Sequence, residues 1–194
     1  TSNLKLDPEA AGISGGSAAN AVQGMSTGNN TSFVQNHWEA ASDSFVLFAK
    51  GGASSWIMQR VTKSVNWTGE GDEIRRQSSS VMRNEEHYLK SGLTWTNIKA
   101  TGRRFGYLPP GVVFDQKGPL LLSEDISEWL LLAVVNSDLY HELFLSLTPD
   151  RTWGQGDVGR LPWQKELESD ETLESKVKEQ YRMLLQAEVY SPQS

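Results

Sequence analysis

Two textures follow one another along this chain, and their order is the strongest constraint on its fold. Up to Leu122 the apolar residues come in short runs closed by Gly or Pro. Ser-Phe-Val-Leu-Phe-Ala ends at Lys50-Gly51-Gly52, Val112-Val-Phe follows Pro109-Pro110-Gly111, and Leu120-Leu-Leu follows Lys117-Gly118-Pro119. Runs of this length between breakers read as buried strands. From residue 126 to 147 the spacing turns helical, with Asn136-Ser137 as the junction of two helices. Farther on, Leu173, Val177, Tyr181, Leu184 and Glu188, four of the five apolar, share one side of an amphipathic C-terminal helix begun near Asp170. Strands first and helices later, with few clean alternations, point to the α+β class. The expectation is a mixed or antiparallel sheet, built mainly between residues 45 and 122 and covered by helices from Ile126 onward.

Finer expectations follow from the same signals. Residues 1–23, rich in Gly, Ser and Ala, read as an irregular lead-in to a domain over 24–163, with 164–194 as the C-terminal helical segment. Residues 31–40 read as a short helix with Phe33 and His37 on one side, a side that Val34 and Trp38 could join. Residues 83–90 read as helical before Gly92, and residues 93–100 and 104–108 as strands around a Thr101-Gly102 turn. Gly154-Gln-Gly-Asp-Val-Gly reads as a glycine-rich loop. Asn136 is expected to cap the second helix, and Trp67, Trp95 and Trp153 belong to the core rather than to a stacking platform.

Composition narrows the function classes. The chain has no cysteine among its 194 residues, so disulfides and thiolate metal sites are excluded and an intracellular setting is allowed. The longest apolar run, residues 129–135, is far too short to span a bilayer, so the expectation is a soluble, cytoplasmic protein away from membranes. The net charge of -6 speaks against nucleic acid as a sum, but not as a distribution. Residues 50–117 hold eleven Lys and Arg against six Asp and Glu, leaving seven against eighteen elsewhere. That segregation suits one electropositive face on an acidic body, and scattered solvated charges would give the same count.

Catalytic signatures are missing. A methyltransferase needs a glycine-rich loop after its first strand and, when it acts on an amino group, an Asn/Asp-Pro-Pro-aromatic motif. Here Pro109-Pro110 is flanked by Leu108 and Gly111. Gly154-x-Gly156-x-x-Gly159 follows Thr148-Pro149 rather than a strand and runs into Leu161-Pro162, so it lacks the context of a dinucleotide fingerprint. His37, His87 and His141 have no metal-ligand spacing, and the adjacent Glu85 and Glu86 point apart on a helix. The segment is read as non-catalytic, with no cofactor of its own.

The wording of the chain goes further than its periodicity. Gly24-Met-Ser-Thr-Gly-Asn-Asn-Thr-Ser-Phe33 with Trp38-Glu39, then Phe48-Ala-Lys-Gly-Gly52, then Val65-Asn-Trp67 with Gly71-Asp-Glu-Ile74, stand in that order. They are followed by Gly92-Leu-Thr-Trp95, Phe105-Gly-Tyr-Leu-Pro-Pro-Gly-Val-Val-Phe-Asp115 with Lys117-Gly118, Leu132-Ala-Val-Val-Asn-Ser137, and Gln155-Gly-Asp-Val158 with Leu161-Pro162. Over about residues 24–163 this succession resembles the PglX-like adenine-specific DNA methyltransferases of BREX phage-resistance systems. Two places depart from that pattern: residues before Gly24 lack its aromatic-rich lead-in, and Trp153-Gly154 and Gly159 replace commoner residues.

The resemblance implies a target-recognition segment that binds double-stranded DNA, in an enzyme that uses S-adenosylmethionine elsewhere in its chain. It also allows contacts with other subunits of the defence complex. Reading a sequence needs cations on phosphates and Arg, Lys, Gln or Asn on base edges. The candidates are Lys50, Lys99, Arg103, Arg104 and Lys117, at predicted strand ends, and Gln155, which could pair with an adenine edge or bond its own loop. The rival reading is a protein-interaction or scaffold segment of the same complex, which the overall acidity favours.

Overall fold

A computed structural model of the chain describes residues 19–51, 57–97, 105–123, 125–148, 152–163 and 170–190. Among the described residues nine short strands form two sheets. In chain order they are β1 (Asn20–Val22), β2 (Val34–Asn36), β3 (Phe45–Ala49), β4 (Ile57–Met58), β5 (Lys63–Asn66), β6 (Gly92–Thr94), β7 (Gly106–Leu108), β8 (Val112–Phe114) and β9 (Leu120–Leu122). The helices are α1 (Asn30–Phe33), α2 (Asp72–Arg75), α3 (Glu128–Val135), α4 (Asp138–Leu147), α5 (Gln155–Gly159) and α6 (Glu171–Tyr190). One sheet has the order β1-β9-β6-β7-β4 and the other β2-β5-β3-β8. Pairing is antiparallel except for β3 with β8 and β4 with β7. This is the expected α+β class, with mixed sheets and a C-terminal helix.

Strand alternation makes the five-stranded sheet a shared wall. Successive side chains of a strand point to opposite faces. Leu121, Leu93 and Tyr107 therefore face the helices, where they pack with Trp95, Phe105, α3 and α4. Their strand neighbours Leu120, Leu122 and Leu108, with Val22, face the four-stranded sheet and meet Phe48, Val65, Val113 and Phe114. The result is three layers: helices, five-stranded sheet, four-stranded sheet. Helix α3 is buried at Leu130, Leu131, Leu132, Val134 and Val135, which is why its sequence shows no polar stripe. No single helix among the described residues is long and apolar enough to cross a membrane.

Several expectations change. The sheet is two sheets, and two of its strands, β1 and β2, precede Phe45; β1 lies within the stretch read as an irregular lead-in. The helix expected over 31–40 ends at Phe33, because Val34–Asn36 pairs with β5 instead. Residues 83–90 hold only a 3-10 turn at Glu85–His87, since Asn84 and Leu89 take positive φ (52° and 65°). Leu89 N–H then donates to Val112 O at 3.1 Å, diverting the chain into the sheet. The cap of α4 is Ser137, whose Oγ accepts from Tyr140 N at 3.3 Å. Asn136 instead donates from Nδ2 to Phe105 O at 2.9 Å inside the core. The glycine-rich loop is the helical turn α5. The Thr101-Gly102 turn lies outside the described residues, but β6 and β7 on either side of it do pair antiparallel.

Helix α6 begins where expected, with Asp170 Oδ1 accepting from Leu173 N at 2.9 Å. Leu173, Val177 and Tyr181 pack against the helical core, Tyr181 meeting Trp129 and Tyr107 edge to face or tilted. Beyond them Met183, Leu184 and Leu185 are exposed.

Candidate nucleic-acid interface

One end of the four-stranded sheet gathers the cations. Strand β3 runs parallel to β8 with Ala49 opposite Phe114, so the residues that follow, Lys50 and Asp115-Gln116-Lys117, emerge side by side. Strand β5 is antiparallel to β3, with Lys63 opposite Phe48, so its start lies at the same end. Strand β2 finishes there too, Asn36 facing Lys63. Four adjacent strand ends thus carry Asn36-His37-Trp38, Lys63, Lys50 and Lys117, across roughly 15 Å at normal strand spacing. Exposed Arg60 lies just before β5.

The rim is tightly built. Asp115 N donates to Ala49 O at 2.9 Å, and Lys117 N donates to Asp115 Oδ1 at 2.7 Å. Gly51 lies so close to Lys117 O that no side chain fits there, and Gly118 is tightly placed against Gly51 N. Asp115 itself is buried. Burial pushes its carboxyl above the ordinary range, while the Lys117 N–H and the charges of Lys50 and Lys117 pull it back down. On the β8 flank Gln23 Nε2 donates to Gln116 O at 3.2 Å, and exposed Arg83 donates to Gln23 Oε1. Asn84 Nδ2 holds Gln23 O at 2.8 Å, so the Gln23–Arg83 pair is braced from both sides.

The opposite end of the sheet is acidic. Asp43 precedes Phe45, and Glu70, Asp72 and Glu73 follow Asn66. Arg75 and Arg76 stand there as well, Arg75 bonded to Glu85 and 3.3 Å from Asp72, Arg76 3.9 Å from Asp72. Two cations of the basic interval are therefore spent on acidic neighbours, and others collect at the far rim.

Of the residues singled out from sequence, Lys50 and Lys117 come together at this rim. Lys99, Arg103 and Arg104 lie outside the described residues. Gln155 does not join Lys50 and Lys117: it opens α5, in the helical layer against β1 and α4, and its Nε2 is buried without an acceptor. Sequence reading missed Lys63, Trp38, Arg60 and the Gln23–Arg83 pair. Strand register brings Lys63 and Trp38 to the rim, and side-chain bonds bring the Gln23–Arg83 pair, although the Val65-Asn-Trp67 and Trp38-Glu39 blocks lie close by in sequence. Trp95 and Trp153 are core residues as expected, each 1% exposed.

Among the described residues, the glycine-rich stretch gives no fit for a nucleotide-like cofactor. The Gly154–Gly159 stretch is helical, and Asp157 Oδ2 accepts from Gly154 N at 3.0 Å, placing a carboxylate where an anion would dock. Among the described residues no group of His, Asp and Glu could hold a metal ion.

No family model matches the chain. The fold is shared with a chain solved in a study of complex assembly and conformational transition of the type I R-M system: TM-score 0.50, 13% identity, 97% of this chain and 43% of that one. The HsdS subunit from Thermoanaerobacter tengcongensis gives TM-score 0.47 at 12% identity, over 98% of this chain and 42% of that one. In sequence the chain is similar to adenine-specific methyltransferases. It is 27% identical over 156 residues to BrxX of Escherichia coli O9:H4 (strain HS), covering 73% of this chain and 13% of that protein. It is 25% identical over 169 residues to PglX of Lacticaseibacillus casei (strain Zhang), covering 75% and 14%. The resemblance carried by the motifs is thus borne out by homologues of the named kind, and the chain spans about one seventh of their length.

Proposed function

We propose that this chain is the DNA target-recognition segment of an adenine-specific DNA methyltransferase in a restriction-modification-like phage-defence system of the BREX type. The observation that carries the proposal is the cationic rim, on a segment similar in sequence to adenine-specific methyltransferases. Methyl transfer from S-adenosylmethionine then belongs to another part of a longer chain. The segment's task is to bind double-stranded DNA and hold the target in register.

Lys50, Lys63 and Lys117 would meet phosphates, which supply affinity and position. The tight Gly51–Lys117 contact keeps two of these ammonium groups side by side. The braced Gln23–Arg83 pair presents an exposed guanidinium of the kind that reads guanine edges. Lys99, Arg103 and Arg104 remain part of the proposed contact set on the charge balance and motif positions alone, whereas Gln155, its Nε2 buried in the helical layer, stays in it only on its motif position. A cytoplasmic location, where the DNA is, goes with this reading.

The test is a titration of double-stranded DNA with the 194-residue chain across salt concentrations. Lys50→Ala with Lys117→Ala should lower affinity and flatten the log–log salt slope by about one unit per lost phosphate contact. Arg103→Ala with Arg104→Ala should do the same, or cost roughly 1–3 kcal/mol and relax the sequence read if they touch bases. Binding that ignores both salt and these substitutions overturns the proposal.

A second reading, an interaction segment that docks another subunit of the defence complex, is favoured by one feature. Met183, Leu184 and Leu185 are exposed on α6, in a chain of net charge -6. Pull-down of a partner subunit that Leu184→Glu abolishes, together with absent DNA binding, would favour it.

A further inference from the structure

Trp38 is 65% exposed, the most open of the large apolar side chains among the described residues. The other described tryptophans differ: Trp95, Trp153 and Trp163 are buried, and Trp67 and Trp129 are half-buried against other aromatic rings. Nothing in the fold calls for an indole there. The residue occupies the middle of a 3-10 turn, His37–Glu39, whose ends are tied by main-chain bonds and not by its ring. Asn36 N donates to Glu39 Oε2 at 3.1 Å, and His37 N donates to Thr62 O at 3.1 Å. Among the described residues the ring's aromatic neighbour is His37, edge-on at 5.2 Å and 81°.

Apart from Glu39 of the turn itself, which is held by Asn36 N, the charges around the turn are cationic. Asn36, the residue before it, accepts from Lys63 Nζ at 2.6 Å, which points that ammonium toward the turn. Arg60 and Thr62 belong to the segment that the turn is bonded to. A partner that covers this patch must bring both a flat apolar face and negative charge. Duplex DNA sets the apolar face of a deoxyribose beside a phosphate at every nucleotide, and a flat base face wherever a base is unstacked, whereas a hydrophobic protein surface supplies no such charge.

We propose that Trp38 is a DNA-contacting side chain, its indole stacking on a base or deoxyribose of the bound DNA while Lys63 and its neighbours hold the flanking phosphates. The inference rests on the target-recognition reading and extends its contact surface to the β2 end of the rim.

The experiment compares the 194-residue chain with its Trp38→Ala, Trp38→Phe and Lys50→Ala/Lys117→Ala forms. Binding to a labelled DNA duplex is measured by fluorescence anisotropy at several salt concentrations. Trp38→Ala should weaken binding roughly five- to a hundredfold at every salt concentration. Its salt slope should match the parent's, because no counterion is released at an indole. Trp38→Phe should keep most of the affinity, and the unfolding midpoint of both should stay at the parent value. If Trp38→Ala binds as the parent does while the double lysine variant is weakened, Trp38 is no contact and the target-recognition reading stands. If the parent chain shows no salt-dependent binding, both are lost. A Trp38→Ala form with a lower unfolding midpoint and a flattened slope would mean a disturbed rim, and would also overturn the assignment.

Discussion

Gly51 packs so closely on the main chain at Lys117 that a Cβ built on it would stand 2.0 Å from the Lys117 carbonyl oxygen. Both partners are backbone, so no side-chain rotation can relieve the clash. Gly51→Ala should therefore open the junction of β3 and β8 and destabilise the chain by about 1–3 kcal/mol. It should also weaken DNA binding, because Lys50 and Lys117 lose their fixed spacing. Gly156→Ala is the matched control: its Cβ would meet nothing within 4 Å, and the residue sits in α5. That change should stabilise by about 0.5–1 kcal/mol. Urea unfolding of the two variants checks both signs.

Asp115 offers a test of the rim's electrostatics. Burial raises its carboxyl pKa in the folded chain, although Lys50 and Lys117 oppose the shift. A carboxyl raised on folding contributes stability that is present below its unfolded pKa and is lost as pH climbs through the folded value. At neutral pH the ionised group is thus a net burden. Asp115→Asn keeps an oxygen to accept from Lys117 N and removes the buried charge, so it should unfold at an equal or higher temperature at pH 7. Its advantage should vanish in acid. Asp115→Ala leaves that N–H unpaired and should be less stable than the parent at both pH values.

Much of this was legible from local signals. Apolar runs bounded by Gly and Pro marked β3, β8 and β9, and the Asn136-Ser137 junction marked the break between α3 and α4. The failures share one cause, which is that long-range pairing outweighs local propensity. Val34–Asn36 reads as the continuation of a helix, but β5 offers it ladder hydrogen bonds. Residues 83–90 contain good helix formers, but the bonds that Leu89 makes with Val112 and Gly111 demand a left-handed residue. The candidate rim was legible in part for the same reason. Lys50 and Lys117 stand beside glycines that advertise strand ends, whereas Lys63 and Trp38 reach the rim only through strand register.

Tyr88 and Tyr140 should make the chain sensitive to alkali. Burial pushes both phenols up to about 12, from an ordinary value near 10. Raised on folding, each contributes stability that is present below about pH 10 and is lost as pH rises toward about 12. The unfolding midpoint should therefore fall steeply above pH 10. Tyr140→Phe should flatten that fall. It should also lower stability at neutral pH, because the Tyr140 hydroxyl donates to Pro162 O and that carbonyl would lose its partner. Thermal melts between pH 7 and pH 11.5 distinguish the two effects, and an unchanged alkaline slope in both Tyr88→Phe and Tyr140→Phe would rule out the phenols as the cause.

Trp153 departs from the commoner residue of its motif, and the fold uses what it brings. Its ring stacks on Phe144 at 4.0 Å and 12°, with Phe105 tilted alongside at 6.1 Å. Its carbonyl accepts from Trp95 Nε1 at 2.8 Å, a buried bond linking the end of β6 to the approach to α5. Trp153 N returns a bond to Asn97 O at 2.8 Å. The helical layer is thus tied to the five-stranded sheet by stacking and by main-chain bonds together. Trp95→Phe retains a ring in the core but removes the donor, stranding a carbonyl in apolar surroundings, and should cost about 1–3 kcal/mol. Trp153→Ala removes the stacked ring and should cost about 3–5 kcal/mol. Since this cluster lies a layer away from the cationic rim, DNA affinity of the still-folded Trp95→Phe form should match the parent. Urea unfolding read beside a DNA titration checks the separation: a Trp95→Phe chain with parental stability would show that the buried bond contributes nothing.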